Sequence, residues 1–204
     1  MADIRIETLE NAIRIANSRM AALEAELNAA DSKLGDGDTG VMLARVLGKF
    51  GETDIGAGTD LGAAFQALAR AAAAATGSSL GTLFATALLT IGKATKGRET
   101  ARWSELSGLL EAALDAMIRR GGASLGDKTV LDALDAVVKA TAGLADAGEI
   151  AAEASKAGNA ALAAFLDKPC KIGRARMFAE KSVGIDDPGM LGFVRLVDAL
   201  ADRD

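Results

Sequence analysis

The sequence predicts an all-α protein: about eight helices in a single domain, spanning residues 1–204. Three observations carry this. The chain has 204 residues and is 50% hydrophobic, enough for one substantial core. Tyr is absent, Trp occurs once and Phe six times, so Leu, Ile, Val and many Ala must fill that core. Ala-rich segments with few β-branched runs favour close-packed helices. Strand signals are scarce, with little strict alternation and no Asn-Gly hairpin turn.

The elements follow from periodicity and punctuation. Ile6, Leu9, Ile13, Ala16, Met20, Leu23 and Leu27 recur in steps of three and four, the signature of an amphipathic helix over Ile4 to Ala30. A short helix is expected from Val41 to Phe50, then a loop over Gly51 to Gly58. Thr59 or Asp60 suits the cap of a third helix that runs through the alanines near Ala75. Thr76-Gly-Ser-Ser79 breaks it, Leu80 to Lys93 forms the fourth helix, and Lys96-Gly-Arg-Glu is its exit loop. Trp103 to Arg120 makes the fifth, stopped by Gly121-Gly122 at a C-cap. Asp127 or Lys128 starts the sixth, which runs to Leu144, and Glu149 to Phe165 is the seventh. Lys168 to Pro188 is a Gly-containing loop, and Met190, Phe193, Val194, Val197 and Leu200 mark the last helix.

Composition excludes several classes. The net charge of −5, with no basic stripe, argues against nucleic-acid binding. No apolar run is long enough to span a bilayer, and Met1-Ala-Asp-Ile-Arg lacks the pattern of a signal peptide. Cys170 is the lone cysteine, which fits a reducing cytoplasm. Histidine is absent, which removes Ser-His-Asp and Cys-His catalysis and imidazole metal sites. Chemistry here rests on carboxylates, Lys, Arg, hydroxyls and backbone amides.

The stretch Asp31-Ser-Lys-Leu-Gly-Asp36-Gly-Asp38-Thr-Gly40 places three aspartates within eight residues. Carboxylates so close repel one another unless a divalent cation reverses the sign. Mg²⁺ takes oxygen ligands and joins carboxylates to nucleotide phosphates. The loop reads either as a Mg²⁺–nucleotide site or as a solvated acidic turn. Glycine-containing polar loops recur at Thr76 to Gly81, Gly121 to Asp127 and Gly184 to Gly189, and in an up-and-down bundle alternate loops share one end. Thr76-Gly-Ser78-Ser79-Leu-Gly-Thr82 suits a phosphate at a helix start, or is a helix break with a Ser cap.

Gly121 to Thr129 is not a Walker loop, because Asp127 separates Gly126 from Lys128 and a helix precedes it. It suits an adenine or ribose instead, with Asp127 capping the next helix. An EF-hand fails too: counted from Asp36, the position that needs a bidentate Glu is Leu47. Arg174 can pair with phosphate or belong to a surface ion-pair cluster with Arg176, Glu180 and Lys181. Lys33 reads as a solvated charge.

Taken together, Asp31-x4-Asp36-Gly-Asp38, Thr76-Gly-Ser-Ser79, Gly126-Asp-Lys-Thr129-Val-Leu-Asp132-Ala-Leu134, and Gly173-Arg-Ala with Glu180-x-Ser182-x-Gly184-x-x-Asp187-Pro-Gly189 occur in a recognisable order. In that order they resemble the nucleotide-binding L subunit of dihydroxyacetone kinases, from Asp31 to Gly189. The resemblance implies an antiparallel eight-helix barrel with the nucleotide at one end. It implies that Asp31, Asp36 and Asp38 hold two Mg²⁺ ions. It implies that Thr39, Gly40, Val41, Met42, Ser78, Ser79, Gly121, Val130, Arg174, Asp186, Asp187 and Pro188 surround ADP or ATP.

No residue of the chain is expected to act as a catalytic acid, base or nucleophile. In the family the ketose sits on a separate K subunit, where a His traps its carbonyl covalently; the absence of His agrees with a kinase subunit that works with a K-type partner. The donor is ATP, or a phosphotransferase-system protein that recharges bound ADP. The alternative is a non-catalytic nucleotide-state sensor that binds a regulator. Two departures from the family pattern stand out: Thr39 replaces a common His, and Arg176-Met177-Phe178 stands where an aromatic usually follows Gly-Arg-Ala-Ser.

Overall fold

The structure, a computed structural model, describes residues 3–56 and 60–202, and of Arg174 and Phe178 the backbone alone. Among these residues there are eight α-helices: α1 (Ile6–Asp31), α2 (Thr39–Glu52), α3 (Leu61–Ala75), α4 (Ser79–Ala94), α5 (Leu106–Gly121), α6 (Val130–Thr141), α7 (Ala147–Phe165) and α8 (Pro188–Ala201). Each packs on the next in sequence, and α8 returns to α1, so the helices close a ring. Arg195 of α8 pairs with Glu26 of α1 at 2.9 Å across the closure. Extended pairing among the described residues is one isolated bridge between Ile4 and Ala101.

The main core fills the ring. Leu27 of α1, Val46 of α2, Ala72 of α3, Ala133 of α6, and Met190 and Val194 of α8 are fully buried there. A second cluster joins Leu114 and Met117 of α5 to Val130, Leu131 and Leu134 of α6. It draws in Leu83 of α4 and Ile172 from the α7–α8 connection, and it floors one side of the functional end.

Helix ends show which punctuation the chain uses. Asp60 caps α3, accepting from the Gly62 amide at 2.7 Å; Thr59, the other candidate, lies outside the described residues. Gly122 adopts the left-handed conformation (φ 68°) that ends α5. The fifth helix opens as a single 3-10 turn, Trp103–Glu105, and becomes α-helical at Leu106. The sixth does not start at Asp127 or Lys128. Thr129 is its cap and Asp132 closes a capping box, so α6 begins at Val130. Asp127 instead accepts from the Ser124 amide at 2.8 Å and folds the loop before the cap. The sixth helix ends at Thr141, and Asp146 caps α7. Two 3-10 turns, Arg174–Phe178 and Glu180–Ser182, lie within the loop expected over Lys168 to Pro188. No described helix is long and apolar enough to cross a membrane.

Candidate functional site

The α1–α2, α3–α4, α5–α6 and α7–α8 connections meet at one end of the ring around a cleft of about 800 Å³. Alternate connections of an up-and-down ring share an end, so four segments far apart in sequence become the walls of one space.

The acidic wall is built by α1 and α2 together. Oxygens of Asp31, Asp36 and Asp38 lie within 4.8 Å of one another. Asp31 is buried, while Asp36 and Asp38 are exposed. Asp38 occupies the cap position of α2, yet its side chain does not cap the helix. That task falls to α1. One oxygen of Asp31 accepts from the amides of Asp38 (2.9 Å) and Thr39 (3.2 Å). The side-chain oxygen of Asn28, one turn earlier, accepts from Gly40 (2.8 Å) and Val41 (3.2 Å). The first amides of α2 are satisfied from outside, and the second Asp31 oxygen and the Asp38 carboxylate are left to the cleft. Gly40 is required by close approach: a Cβ there would collide with the Glu24 carbonyl and the Asn28 side chain. Three oxygen donors converging in this way fit a hard divalent cation and suit neither zinc nor a soft metal.

The start of α4 borders the same cleft, next around the ring from the acidic wall. Ser78 caps it, accepting from the Gly81 amide at 3.0 Å, and Thr76 accepts from the Ser78 amide at 3.0 Å. The next amides, at Ser79 and Leu80, take no partner among the described residues and lie where a helix start favours an anion. Part of the lining is apolar: Leu83, Ala123, Val130 and Ile172 belong to the second core cluster, and the exposed Gly121 lies beside Leu83. Helix-start donors and an apolar group lining one cleft match a phosphorylated, aromatic-based ligand.

The α7–α8 connection closes the cleft. Asp187 caps α8, accepting from the Met190 amide at 2.8 Å, and Pro188 fills the first helical turn. Burial pushes the Asp187 carboxyl up to about 6; the Met190 amide and the Lys128 charge oppose this, and the Asp31 charge adds to it.

Lys128 is nearly inaccessible, at 1% exposure, and its ammonium donates to the carbonyls of Leu166 (2.9 Å), Lys168 (2.8 Å) and Ser182 (2.8 Å). Burial lowers its pKa, and the charges of Asp186, Asp187 and Asp167 work against that. Three acceptors need three N–H donors, which only the protonated side chain supplies.

Among the expected site residues, Asp31, Asp36, Asp38, Thr39, Val41, Met42, Ser78, Ser79, Gly121, Val130, Asp187 and Pro188 all border the cleft. Gly40 and Asp186 do not. Gly40 is buried against α1, and the cap position of α8 falls on Asp187 rather than on its predecessor. The Arg174 side chain lies outside the described residues. Sequence reasoning missed Asn28, Leu83, Lys128 and Ile172. Asn28 carried a signal: it stands three residues before Asp31, hence on the same helix face.

Comparisons with known proteins give the chain's family and fold. The family model described as the DAK2 domain matches residues 33–202. An L-erythrulose 1-kinase of Mycolicibacterium smegmatis is 36% identical over 88% of this chain and 32% of its own length; the chain thus spans about a third of that relative. The ADP-binding subunit DhaL of a PEP-dependent dihydroxyacetone kinase of Listeria innocua is 31% identical over 85% of this chain and 84% of its own length. The crystal structure of the Citrobacter freundii dihydroxyacetone kinase in complex with AMP-PNP and Mg²⁺ shares the fold: TM-score 0.70, 22% identity, 98% of this chain and 34% of that one. The chain therefore belongs to the DAK2 domain family, as an L-type relative of the dihydroxyacetone kinase ADP-binding subunits.

Proposed function

We propose that residues 1–204 act as one Mg²⁺–ADP/ATP-binding domain, the L-type subunit of a two-component small-ketose kinase. The ketose sits on a separate K-type subunit. The donor is ATP, or a phosphotransferase-system protein that rephosphorylates ADP held in place. The observation that carries this is that three clustered carboxylates, the α4 helix start and an apolar group of side chains line one cleft. The Listeria innocua relative, an ADP-binding subunit of matching length, supports the nucleotide; the Mycolicibacterium smegmatis relative, an L-erythrulose kinase, supports a small ketose as acceptor.

Asp31, Asp36 and Asp38 would hold one or two Mg²⁺ ions, and the metal would neutralise the charge on the β- and γ-phosphates. The chain's own residues do the rest by positioning. The Ser79 and Leu80 amides and the Ser78 hydroxyl donate to phosphate oxygens. Thr39 to Met42 offer the start of α2, held by Asn28 and Asp31. Leu83, Val130 and Ile172 take the base, beside Gly121. Arg174 pairs with phosphate in the same reading, and Asp187 with Pro188 bounds the site from the α8 side. Phosphoryl transfer asks mainly for in-line positioning and charge compensation, which such a cleft provides without an acid or base of its own.

A melting scan tests the assignment. With Mg²⁺, ADP at a hundredfold excess over its Kd adds about 2.7 kcal/mol, a rise in Tm of roughly 5–10 °C for a chain of this size. With chelator the rise disappears, because the aspartates repel bare phosphates. Asp38→Asn abolishes the rise with the helical circular-dichroism signal intact. Equal shifts with and without Mg²⁺, or an unchanged shift in Asp38→Asn, defeat the metal-bridged site.

A further inference from the structure

Lys128 combines two costs that a chain rarely tolerates together. Its ammonium is buried, and its backbone sits in the left-handed region at φ 62°, the one non-glycine residue among those described to do so. Such strain persists where the surroundings over-determine it, and it points toward function. The acceptors show what the arrangement achieves. Leu166 and Lys168 lie at the start of the α7–α8 connection and Ser182 near its end. Between them runs the stretch with Ile172, Gly173 and Ala175, which walls the cleft; beyond them come Asp187, Pro188 and Gly189, which border it. Other bonds close the same segment on itself and on the α5–α6 loop. The Gly184 amide donates to the Leu166 carbonyl at 2.9 Å, Cys170 to the Ser182 hydroxyl at 2.8 Å, and Lys171 to the Asp127 carbonyl at 3.1 Å.

We propose that Lys128 is a positioning residue for the nucleotide cleft: its ammonium is a built-in cation that gathers three carbonyls and holds the α7–α8 wall against the α5–α6 wall. The next residues in the chain are Thr129, the cap of α6, and Val130, part of the apolar lining, so one lysine sets both walls. This rests on the nucleotide reading above and adds to it a determinant that touches no ligand. Linkage gives the corollary: a nucleotide that prefers the gathered cleft must tighten the ammonium–carbonyl contacts in return. A carbonyl cage of this kind also accepts a small alkylammonium ion once the side chain is removed.

The test begins with the unmodified protein. Under limited acylation read by mass spectrometry, Lys128 reacts more slowly than exposed Lys156, and Mg²⁺–ADP slows Lys128 alone, by about tenfold or more. In Lys128→Met, ADP affinity falls by about tenfold or more, while Mn²⁺ affinity without nucleotide, which reports the aspartates, is unchanged. Hydrogen exchange rises over residues 166–186 and not in α1 to α3. In Lys128→Ala, added ethylammonium recovers ADP affinity, which a merely space-filling role for the side chain does not explain.

Acylation of Lys128 at the rate of Lys156, a Lys128 rate indifferent to Mg²⁺–ADP, or wild-type ADP affinity in Lys128→Met overturns the proposal. If neither variant folds, the acylation experiment decides. Wild-type protein that binds no Mg²⁺–ADP defeats the nucleotide reading instead, and exchange over 166–186 in Lys128→Met then judges the clamp by itself.

Discussion

Asn28 does for α2 what Asp38, the residue in the cap position, does not. A self-capping Asp38 would turn its carboxylate toward its own helix and away from a ligand. The structure moves the capping duty to α1, where Asn28 and Asp31 accept four amides between them. Position and chemistry are thereby separated. Asn28→Ala leaves the Gly40 and Val41 amides without their acceptor. The expected cost is that of a lost cap, about 1 kcal/mol, or a drop in Tm of roughly 2–4 °C. Mg²⁺–ADP affinity falls with it, because the Thr39–Met42 backbone is no longer held. A variant with wild-type Tm and affinity would show that Asp31 alone fixes the start of α2. Thermal denaturation and calorimetry on the same preparation make the comparison.

At the scale of elements, the two ends of the ring carry different duties. The functional end gathers exposed carboxylates, open amides and polar turns. The opposite end is tied. Ile4 and Ala101 exchange backbone bonds at 2.8 and 3.0 Å, the Leu61 amide donates to the Arg98 carbonyl at 2.8 Å, and Glu105 binds the Arg98 side chain at 2.8 Å. The Arg98 guanidinium and then the Arg102 amide hold the Glu105 carboxyl down to about 2, from an ordinary 4.5. A depressed carboxylate pKa stabilises the folded state fully above the unfolded value. That contribution fades as pH falls from about 4.5 toward 2. Glu105→Gln therefore lowers stability at pH 7 by up to about 1 kcal/mol, the range for solvent-screened pairs, and the gap to wild type closes by about pH 2. ADP affinity at pH 7 stays the same, since the residue lies at the tied end. A gap that does not narrow under acid contradicts this, and urea unfolding across pH measures it.

The elements also show what a reader of the sequence can and cannot see. All eight starts fall within about three residues of the expectation, the ordinary error for boundaries read from sequence, and some, such as the Asp60 cap, come from local signals. The sixth start lies two to three residues past the expected one because Asp127 and Lys128 look like a cap and a first turn. Lys128 instead leaves the helical region to reach carbonyls 38, 40 and 54 residues away. Contacts of that separation leave no periodic trace. The aspartates of the metal loop were legible because three like charges in eight residues demand an explanation. Leu83 and Ile172 were not, since each looks like any core residue until the ring closes.

For the whole molecule, the ring presents one cleft end, and the chain contains no histidine to trap a carbonyl there. In the proposed function the ketose is held by a K-type subunit, and that subunit must meet the cleft end. Large apolar side chains stand exposed on the cleft-end connections: Leu125 at 45%, Met177 at 72% and Val183 at 45%. Leu200, 41% exposed, lies near the last turn of α8, at the tied end. Given Mg²⁺–ATP and dihydroxyacetone or a tetrulose, the chain by itself should phosphorylate no ketose. A cognate K-type subunit should restore turnover, with acceptor choice following the K subunit. Met177→Asp should raise the concentration of K-type subunit needed for half-maximal turnover by about tenfold or more, as loss of a central apolar contact does at other interfaces. Leu200→Asp should leave it unchanged. Turnover by the isolated chain, with no copurifying partner in the mass spectrum, would falsify the divided enzyme. Equal sensitivity at Met177 and Leu200 would instead leave the division standing and move the docking surface off the cleft end.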